Sequence, residues 1–331
     1  MSIKVLFIGG TGIISSGCAP LAVERGVDLY FLNRGNSTRE TPKGVTALRG
    51  DIRDPQSVKA AIGDLQFDSV VDWVAFGTDH IKTDIELFRG RTKQFIFISS
   101  ASAYQTPPSA LPVTEGTTLS NPFWEYSRNK IACEEMLIDA YRKDGFPATI
   151  VRPSHTYDIR LLPFHGGWTV IDRMRKGKKV VVHGDGSSLW TMTHHKDFAK
   201  GFVPLLANPQ AIGHAVHITS DEWLTWDQIH RIFADAAGCE AKLVHVPSET
   251  IAAFDRGWGD SLLGDKTHSM IFDNTKIKTL VPGFACTIPL AQGARETVDW
   301  YDADPSRQTI DDKVNAQFDM LIEMQEKVRP S

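Results

Sequence analysis

Tyr126 and Lys130 stand four residues apart in "NPFWEYSRNKIACEEM", residues 121 to 136. One helical turn separates them, so a phenol and an ammonium project from the same helix face. A free phenol ionises near pH ~10, too high for a base at neutrality, and an adjacent cation favours the phenolate. Such a pair suits acid/base work on an alcohol or a carbonyl. Because the spacing also arises by chance, it gains meaning only if the chain supplies a second hydroxyl, a binding turn and a pocket.

The second hydroxyl is at hand. "FIFISSASAY" closes an apolar β-type run with Ser99 and Ser100, at the strand end where open α/β sheets bind ligands. The binding turn is "VLFIGGTGIISSG", in which Gly9, Gly10 and Gly12 follow the first strand and precede the first helix. With Thr11, Ile13 and Ile14 they form a tight turn whose backbone N–H groups and helix N-terminus approach a pyrophosphate. Ser15 occupies the place of a third glycine and is small enough for close helix packing.

The second strand ends "YFLNRGN", where proteins that prefer NAD commonly present an acidic residue to the ribose. Here Asn33 and Arg34 stand instead. A guanidinium pairs with a 2′-phosphate, which favours NADP(H), while Asn33 can serve a plain ribose and keeps NAD(H) admissible. "RGDIRD" closes the third strand and offers Asp51 and Ile52 to the adenine edge and face.

The elements that position these residues follow from apolar periodicity. "KVLFIGG", "VDLYFLN", "VTALRG", "FDSVVDWVAF", "KQFIFISS" and "FPATIVRP" read as strands, with helices near 12 to 26, 55 to 63, 79 to 90 and 123 to 144 between them. Asp54-Pro55 is a cap and first turn for the second helix. This alternation predicts an α/β, doubly wound parallel sheet of the Rossmann type with a smaller, interleaved C-terminal substrate-binding domain. The dinucleotide-binding domain is expected at 1–152, with returning segments near 190–218 and 288–303. The substrate domain is expected at 153–189 and 219–287, and a charged amphipathic helical tail for packing or association at 304–331.

GGTGIIS, ISSASAY and YSRNK, in this order, resemble the short-chain dehydrogenase/reductase superfamily, in its extended or atypical branch of epimerase/dehydratase-like proteins. The resemblance runs from residue 3 to about residue 300. It implies that Ser100 hydrogen-bonds the reacting oxygen, Tyr126 is the acid/base and Lys130 contacts the nicotinamide ribose. It further implies cofactor contacts from Ala75, Phe76, Ser99, Pro153 and His155, and a homodimer through the helices near 80 to 90 and 123 to 144.

Two departures from the family narrow the chemistry. Dehydratases of this type carry acidic residues where Ala101 and Ser102 stand, so elimination of water is disfavoured. In "HGDGSSLWTMTHHKDFA", Trp190 replaces the arginine that grips a sugar diphosphate, and Lys196 replaces an aspartate. A smaller polyol, sugar or ketone fits better than a nucleotide-linked sugar, with Ser100, Ser102, Tyr126, His155, Tyr157, Trp168 and Trp190 as substrate contacts.

The implied activity is therefore NAD(P)-dependent interconversion of a secondary alcohol and a ketone. The alternatives are a sugar epimerase that retains its cofactor and an RNA-associated or cofactor-sensing protein that uses "RMRKGKK" as contact surface. As a solvated helix end, that run of Arg173, Arg175, Lys176, Lys178 and Lys179 needs no such role. A formal net charge of −4 gives no general pull toward nucleic acid. His155, His165, His183, His194 and His195 lack an obvious metal-ligand spacing, so no metal is expected. Four dispersed cysteines and the lack of a long apolar run point to a reduced, soluble, cytoplasmic protein.

Overall fold

The computed structural model describes residues 2–328; residues 329–331 of the expected tail lie outside them. The first half forms β1 (Lys4–Ile8), α1 (Ser15–Glu24), β2 (Asp28–Asn33), β3 (Thr46–Arg49), α2 (Pro55–Ile62), β4 (Ser69–Asp72), α3 (Thr78–Phe88), β5 (Phe95–Ile98), α4 (Glu125–Asp144) and β6 (Ala148–Pro153). A seventh strand, Ala215–Ile218, returns from the second half and pairs with β6. All seven run parallel, in the order Ala215–Ile218, β6, β5, β4, β1, β2, β3.

This is a doubly wound α/β sheet. Its strand order reverses between β1 and β4, which opens a crevice at the carboxyl ends of the strands. Ile8 pairs with Leu32 on one side and Asp72 on the other, so the glycine turn, Asn33 and Trp73 emerge along one edge. β4, β5 and β6 are buried along their whole length because helices cover both faces, and hence they read as unbroken apolar runs. Edge strand β3 is largely exposed.

Each face of the sheet has its own apolar cluster. Cys18, Ala19 and Ala22 of α1 meet Phe7, Phe31, Phe198 and Phe202 on one side. Val58, Ile81, Leu87, Cys133 and Leu137 from α2, α3 and α4 cover the other. Local chemistry sets the ends: the Asp54 side chain accepts from Gln56 N, and Pro55 opens α2 as predicted.

After β6 the regular alternation stops. Three two-stranded sheets follow, pairing His155–Tyr157 with Met192–His194, Leu189–Trp190 with Leu224–Thr225, and Lys179–His183 with Lys242–Val246. Around them lie α5 (Trp168–Arg175), α6 (His195–Phe202) and helices Trp226–Ala236, Leu290–Asp302 and Asp312–Val328. Val180, Val182, Trp226, Phe233, Val246, Phe318 and Leu321 share a third cluster.

The basic run differs in part from its expected form. Arg173 and Arg175 lie within α5, and Arg173 is 2% exposed. Its guanidinium donates to Lys179 O, to the backbone and side-chain oxygens of Asn315, and to Asp319 at 2.6 Å. Arg175 grips Asp302 through two hydrogen bonds, and Lys179 pairs with Glu326. Arg175, Lys176, Lys178 and Lys179 are exposed, as expected of a solvated helix end, while buried Arg173 departs from that reading: with Lys179 it forms a clasp that seats helix Asp312–Val328 through Asp319 and Glu326. Among the described residues no helix is long and apolar enough to cross a membrane. All four cysteines are free thiols.

Candidate active site

Asn121 positions the start of α4. Its side-chain oxygen accepts from Phe123 N and Trp124 N, and its amide donates to Ser102 O at 2.9 Å and Gly264 O at 2.6 Å. One buried amide thus ties the helix start to the turn after β5 and to the 262–266 segment. Tyr126 follows in the first turn of α4, with Lys130 one turn later. Ser100 leaves β5 and caps a short helical turn, Ala101–Ala103, by accepting from Ser102 N.

Ser100 lies beside the Tyr126 phenol, and both line the same cavity. Ser100 Oγ lies 2.9 Å from Ser102 Oγ, which accepts from Ser127 Oγ at 2.7 Å. Three serine hydroxyls therefore form a connected chain beside the Tyr126 phenol. Lys130 is 2% exposed, and its Nζ donates to Ala75 O at 2.7 Å and Ile98 O at 2.8 Å, between the rings of Phe76 and Phe97.

Burial pulls Lys130 down to about 8, with Asp72 the main charge opposing it. Burial also pushes Tyr126 up to about 12, against the lowering effect of the nearby Ser100 hydroxyl. In the protein alone the ammonium that residue spacing places beside the phenol does not bring its pKa down. Desolvation outweighs that attraction while the ammonium protons point at two carbonyls.

In the glycine turn, Gly9 has φ 82°, and a Cβ there would lie 2.4 Å from Val74 Cγ1. A Cβ on Gly10 would lie 2.5 Å from the Phe31 ring. Ser15 bends back so that its Oγ accepts from Gly12 N at 2.8 Å. The close helix approach expected at position 15 occurs at Gly17, whose Cβ would sit 2.4 Å from His195 O of α6.

Four cavities follow one another, each sharing wall residues with the next. The first, about 460 Å³, is lined by Gly9, Thr11, Gly12, Asn33, Arg34, Asp51, Ile52 and Phe76. The second, about 330 Å³, shares Gly9, Gly12 and Phe76 with it and adds Ile13, Ile14, Tyr126, Lys130 and Pro153. The third, about 220 Å³, shares Ser100, Tyr126, Pro153 and His155 with the second and is closed by Ser102, Trp124, Trp190, Asp265 and Lys266. His155 and Lys266 lead to the fourth, about 180 Å³, where His165, His183, Trp226, His230 and Phe318 converge.

Other sequence-selected residues are placed differently. The Ser99 hydroxyl turns inward to Glu134 at 2.5 Å, which Arg152 holds in a buried ion pair, so Ser99 presents only main chain to the groove. Ala75 is buried and offers its carbonyl to Lys130. Tyr157 and Trp168 line none of these cavities. Tyr157 packs under Gly293 and against His194, and Trp168 stacks on Tyr301 with ring centroids 4.8 Å apart. His194 and His195 sit beside α1, where His195 Nδ1 lies 2.9 Å from Ser16 Oγ. Among the described residues no group of three or more His, Cys, Asp or Glu is arranged to hold a metal ion.

Asn121, Trp124, Ser127, Asp265 and Lys266 escaped the sequence reading. Ser127 and Trp124 flank the Tyr126 motif but carry no spacing signal of their own. Asp265 and Lys266, 3.0 Å apart, reach the site from more than 130 residues downstream in a single turn, Leu262–Lys266.

The model of the NAD dependent epimerase/dehydratase family matches residues 5–219. The chain belongs to this family. It is an epimerase/dehydratase-family enzyme of the extended short-chain dehydrogenase/reductase type. Among curated relatives, this family member is 26% identical over 288 residues to the 2'-dehydrokanamycin reductase of Streptomyces kanamyceticus, covering 86% of this chain and 80% of that one. It is 24% identical over 257 residues to the chloroplast stem-loop binding protein of 41 kDa b of Arabidopsis thaliana, covering 73% of this chain and 65% of that one. The epimerase/dehydratase fold is shared with the UDP-glucose 4-epimerase of Bifidobacterium longum, solved with NAD+ and UDP. That likeness has a TM-score of 0.74 at 19% identity, over 92% of this chain and 99% of that one.

Proposed function

We propose that the protein is an NAD(P)-dependent oxidoreductase that interconverts a secondary alcohol and a ketone on a small sugar- or polyol-like substrate. One observation carries this reading. Gly9 and Gly12 of the phosphate-type turn and Ser100, Tyr126 and Lys130 line a single cavity that shares wall residues with both the Asn33/Arg34 cleft and the Trp190 chamber. The residues fit a dinucleotide: side chains would fill the cradle at Gly9 and Gly10, and Phe76, 48% exposed, offers an apolar wall. A nicotinamide held by these residues would supply or take up the hydride of the alcohol–ketone interconversion.

The protein's part is to hold and protonate. Ser100 and Tyr126 grip the substrate oxygen, and Tyr126, protonated in the protein alone, donates its proton as a ketone is reduced. The Ser100, Ser102 and Ser127 hydroxyls give that proton a path of replacement. Lys130 holds the ribose. Arg34, exposed and without an ion pair among the described residues, supports NADP(H) over NAD(H).

Trp190, Trp124, Asp265 and Lys266 bound the reacting unit, where aromatic faces and an ion pair suit a polyhydroxylated ring. Residues 1–152 with their returning strand would form the cofactor unit, and the third apolar cluster the substrate unit. The homodimer would use α3 and α4, where Tyr141 is 40% exposed.

A retained-cofactor epimerase is the second reading. It is favoured by the adjoining third and fourth cavities, which give a ketone room to turn over. RNA association through the basic run has less support, since Arg173 is consumed internally.

A screen of sugars, sugar acids, polyols and ketones with both dinucleotides, followed by nicotinamide absorbance, tests the proposal. Net absorbance change identifies a dehydrogenase; tightly held dinucleotide without net change identifies an epimerase. Tyr126→Phe should lower turnover by roughly two to four orders of magnitude with cofactor binding kept. Undiminished turnover in that variant refutes the assignment.

A further inference from the structure

Asp72 and Asp84 are two carboxyl groups with no exposed surface, placed behind the groove and given no task by the chemistry above. Asp72 ends β4, and Asp84 lies on the inner face of α3. Asp72 lies beside Asp84, and no lysine, arginine or histidine is ion-paired with either among the described residues.

Asp72 Oδ1 accepts from Val74 N at 2.5 Å and Ala75 N at 2.8 Å. Its Oδ2 and both oxygens of Asp84 are buried and receive no hydrogen bond from any other group of the protein, so a proton held between the two carboxyls is what would satisfy them. Two buried carboxylates in contact cannot both be ionised, so the pair keeps one proton and one negative charge. Burial and the adjacent Asp72 push the Asp84 carboxyl far up, which places the proton on Asp84.

The path continues to Lys130. The Ala75 peptide that gives its N–H to Asp72 gives its carbonyl to Lys130 Nζ at 2.7 Å. From Asp72 through the Ala75 peptide to the ammonium, each group is hydrogen-bonded to the next.

We propose that Asp72 and Asp84 form a proton-sharing pair that positions Lys130, its single charge fixing the 73–76 turn and keeping the buried ammonium protonated beneath the cofactor ribose. The role assigned to Lys130 rests on the function proposed above. Asp84 is the donor that lets Asp72 stay buried, and Asp72 is the positioning residue. Other titratable groups facing the pair are Arg53 before α2, His80 on α3, and Cys133 and Glu134 on α4. Cys133 is pushed up to about 11, chiefly by burial, and stays neutral.

Infrared spectroscopy of the wild-type protein at neutral pH tests the shared proton without turnover. It should show the carbonyl band of a buried protonated carboxylic acid, lost in Asp84→Asn; absence of the band overturns the pair. Asp84→Leu, which leaves Asp72 without its donor, should weaken NAD(P)H binding, read by fluorescence. Asp84→Asn, which restores an N–H donor, should recover most of it. Equal binding in the two variants overturns the donor role.

In the active enzyme, Asp72→Asn should move the limb of the pH profile assigned to Lys130 toward acid by about one unit, the effect of losing one nearby opposite charge. An unmoved limb overturns the positioning role. Should Asp72→Asn fail to fold, the infrared band and the two Asp84 variants decide. Wild-type protein that shows the band but turns over no substrate refutes the proposed activity while leaving the pair intact.

Discussion

At the scale of single residues, the proposed preference for NADP(H) rests on Arg34. It lines the adenosine end of the groove, while Arg39 is bound to Asp158 and Arg53 donates to Val74 O. Replacing Arg34 with serine should raise the KM for NADP(H) by roughly tenfold to a hundredfold, the range of a lost charge-assisted contact, and leave NAD(H) nearly unaffected. Steady-state kinetics with both dinucleotides checks this; equal effects on the two would remove the 2′-phosphate from the account. Which residues were legible in sequence follows from distance along the chain. Tyr126 and Lys130 announce themselves by spacing, and the glycines by sitting between strand and helix. Lys266 shows nothing, because its meaning arises only when a downstream turn folds back beside Trp124 and Trp190.

At the scale of elements, the strand and helix pattern up to residue 153 was readable because helices bury both faces of the sheet and leave continuous apolar runs. Past β6 the strands shorten to between two and five residues, too few for a periodic signal. Trp168 and Tyr157 were misplaced for the same reason: an aromatic residue in irregular sequence gives no hint of whether it faces a pocket or a helix. Side-chain size at the turn was read more accurately than its location. The tight approach belongs to Gly17, where α1 crosses the main chain of His195. Gly17→Ala should therefore destabilise the protein by about 1–3 kcal/mol, the range for overpacking against a backbone that cannot yield. Urea unfolding measures this, and a wild-type midpoint would show that the two helices can part at no cost.

At the scale of the whole molecule, buried neutral imidazoles set the response to acid. Burial pulls His155 and His183 down to about 3, and His195 and His230 to about 4, from an ordinary value of 6.5. Because the folded state binds fewer protons than the unfolded chain, their contribution is intact above pH 6.5. It is lost as pH falls toward 4 and below. Each pKa unit of depression corresponds to about 1.4 kcal/mol per histidine. The urea midpoint should thus decline steeply between pH 6.5 and 4, and His230→Gln should flatten that decline. A midpoint independent of pH across this window would mean that these rings protonate without unfolding.

The clasp formed by Arg173 and Lys179 seats helix Asp312–Val328, and with it Phe318, against the fourth cavity. The last strand of the parallel sheet ends at residue 218, a hundred residues before Phe318 in the chain. The parallel sheet and the groove along its edge are thus encoded apart from the helix that completes the fourth cavity, so loss of that helix should open the cavity and leave the sheet whole.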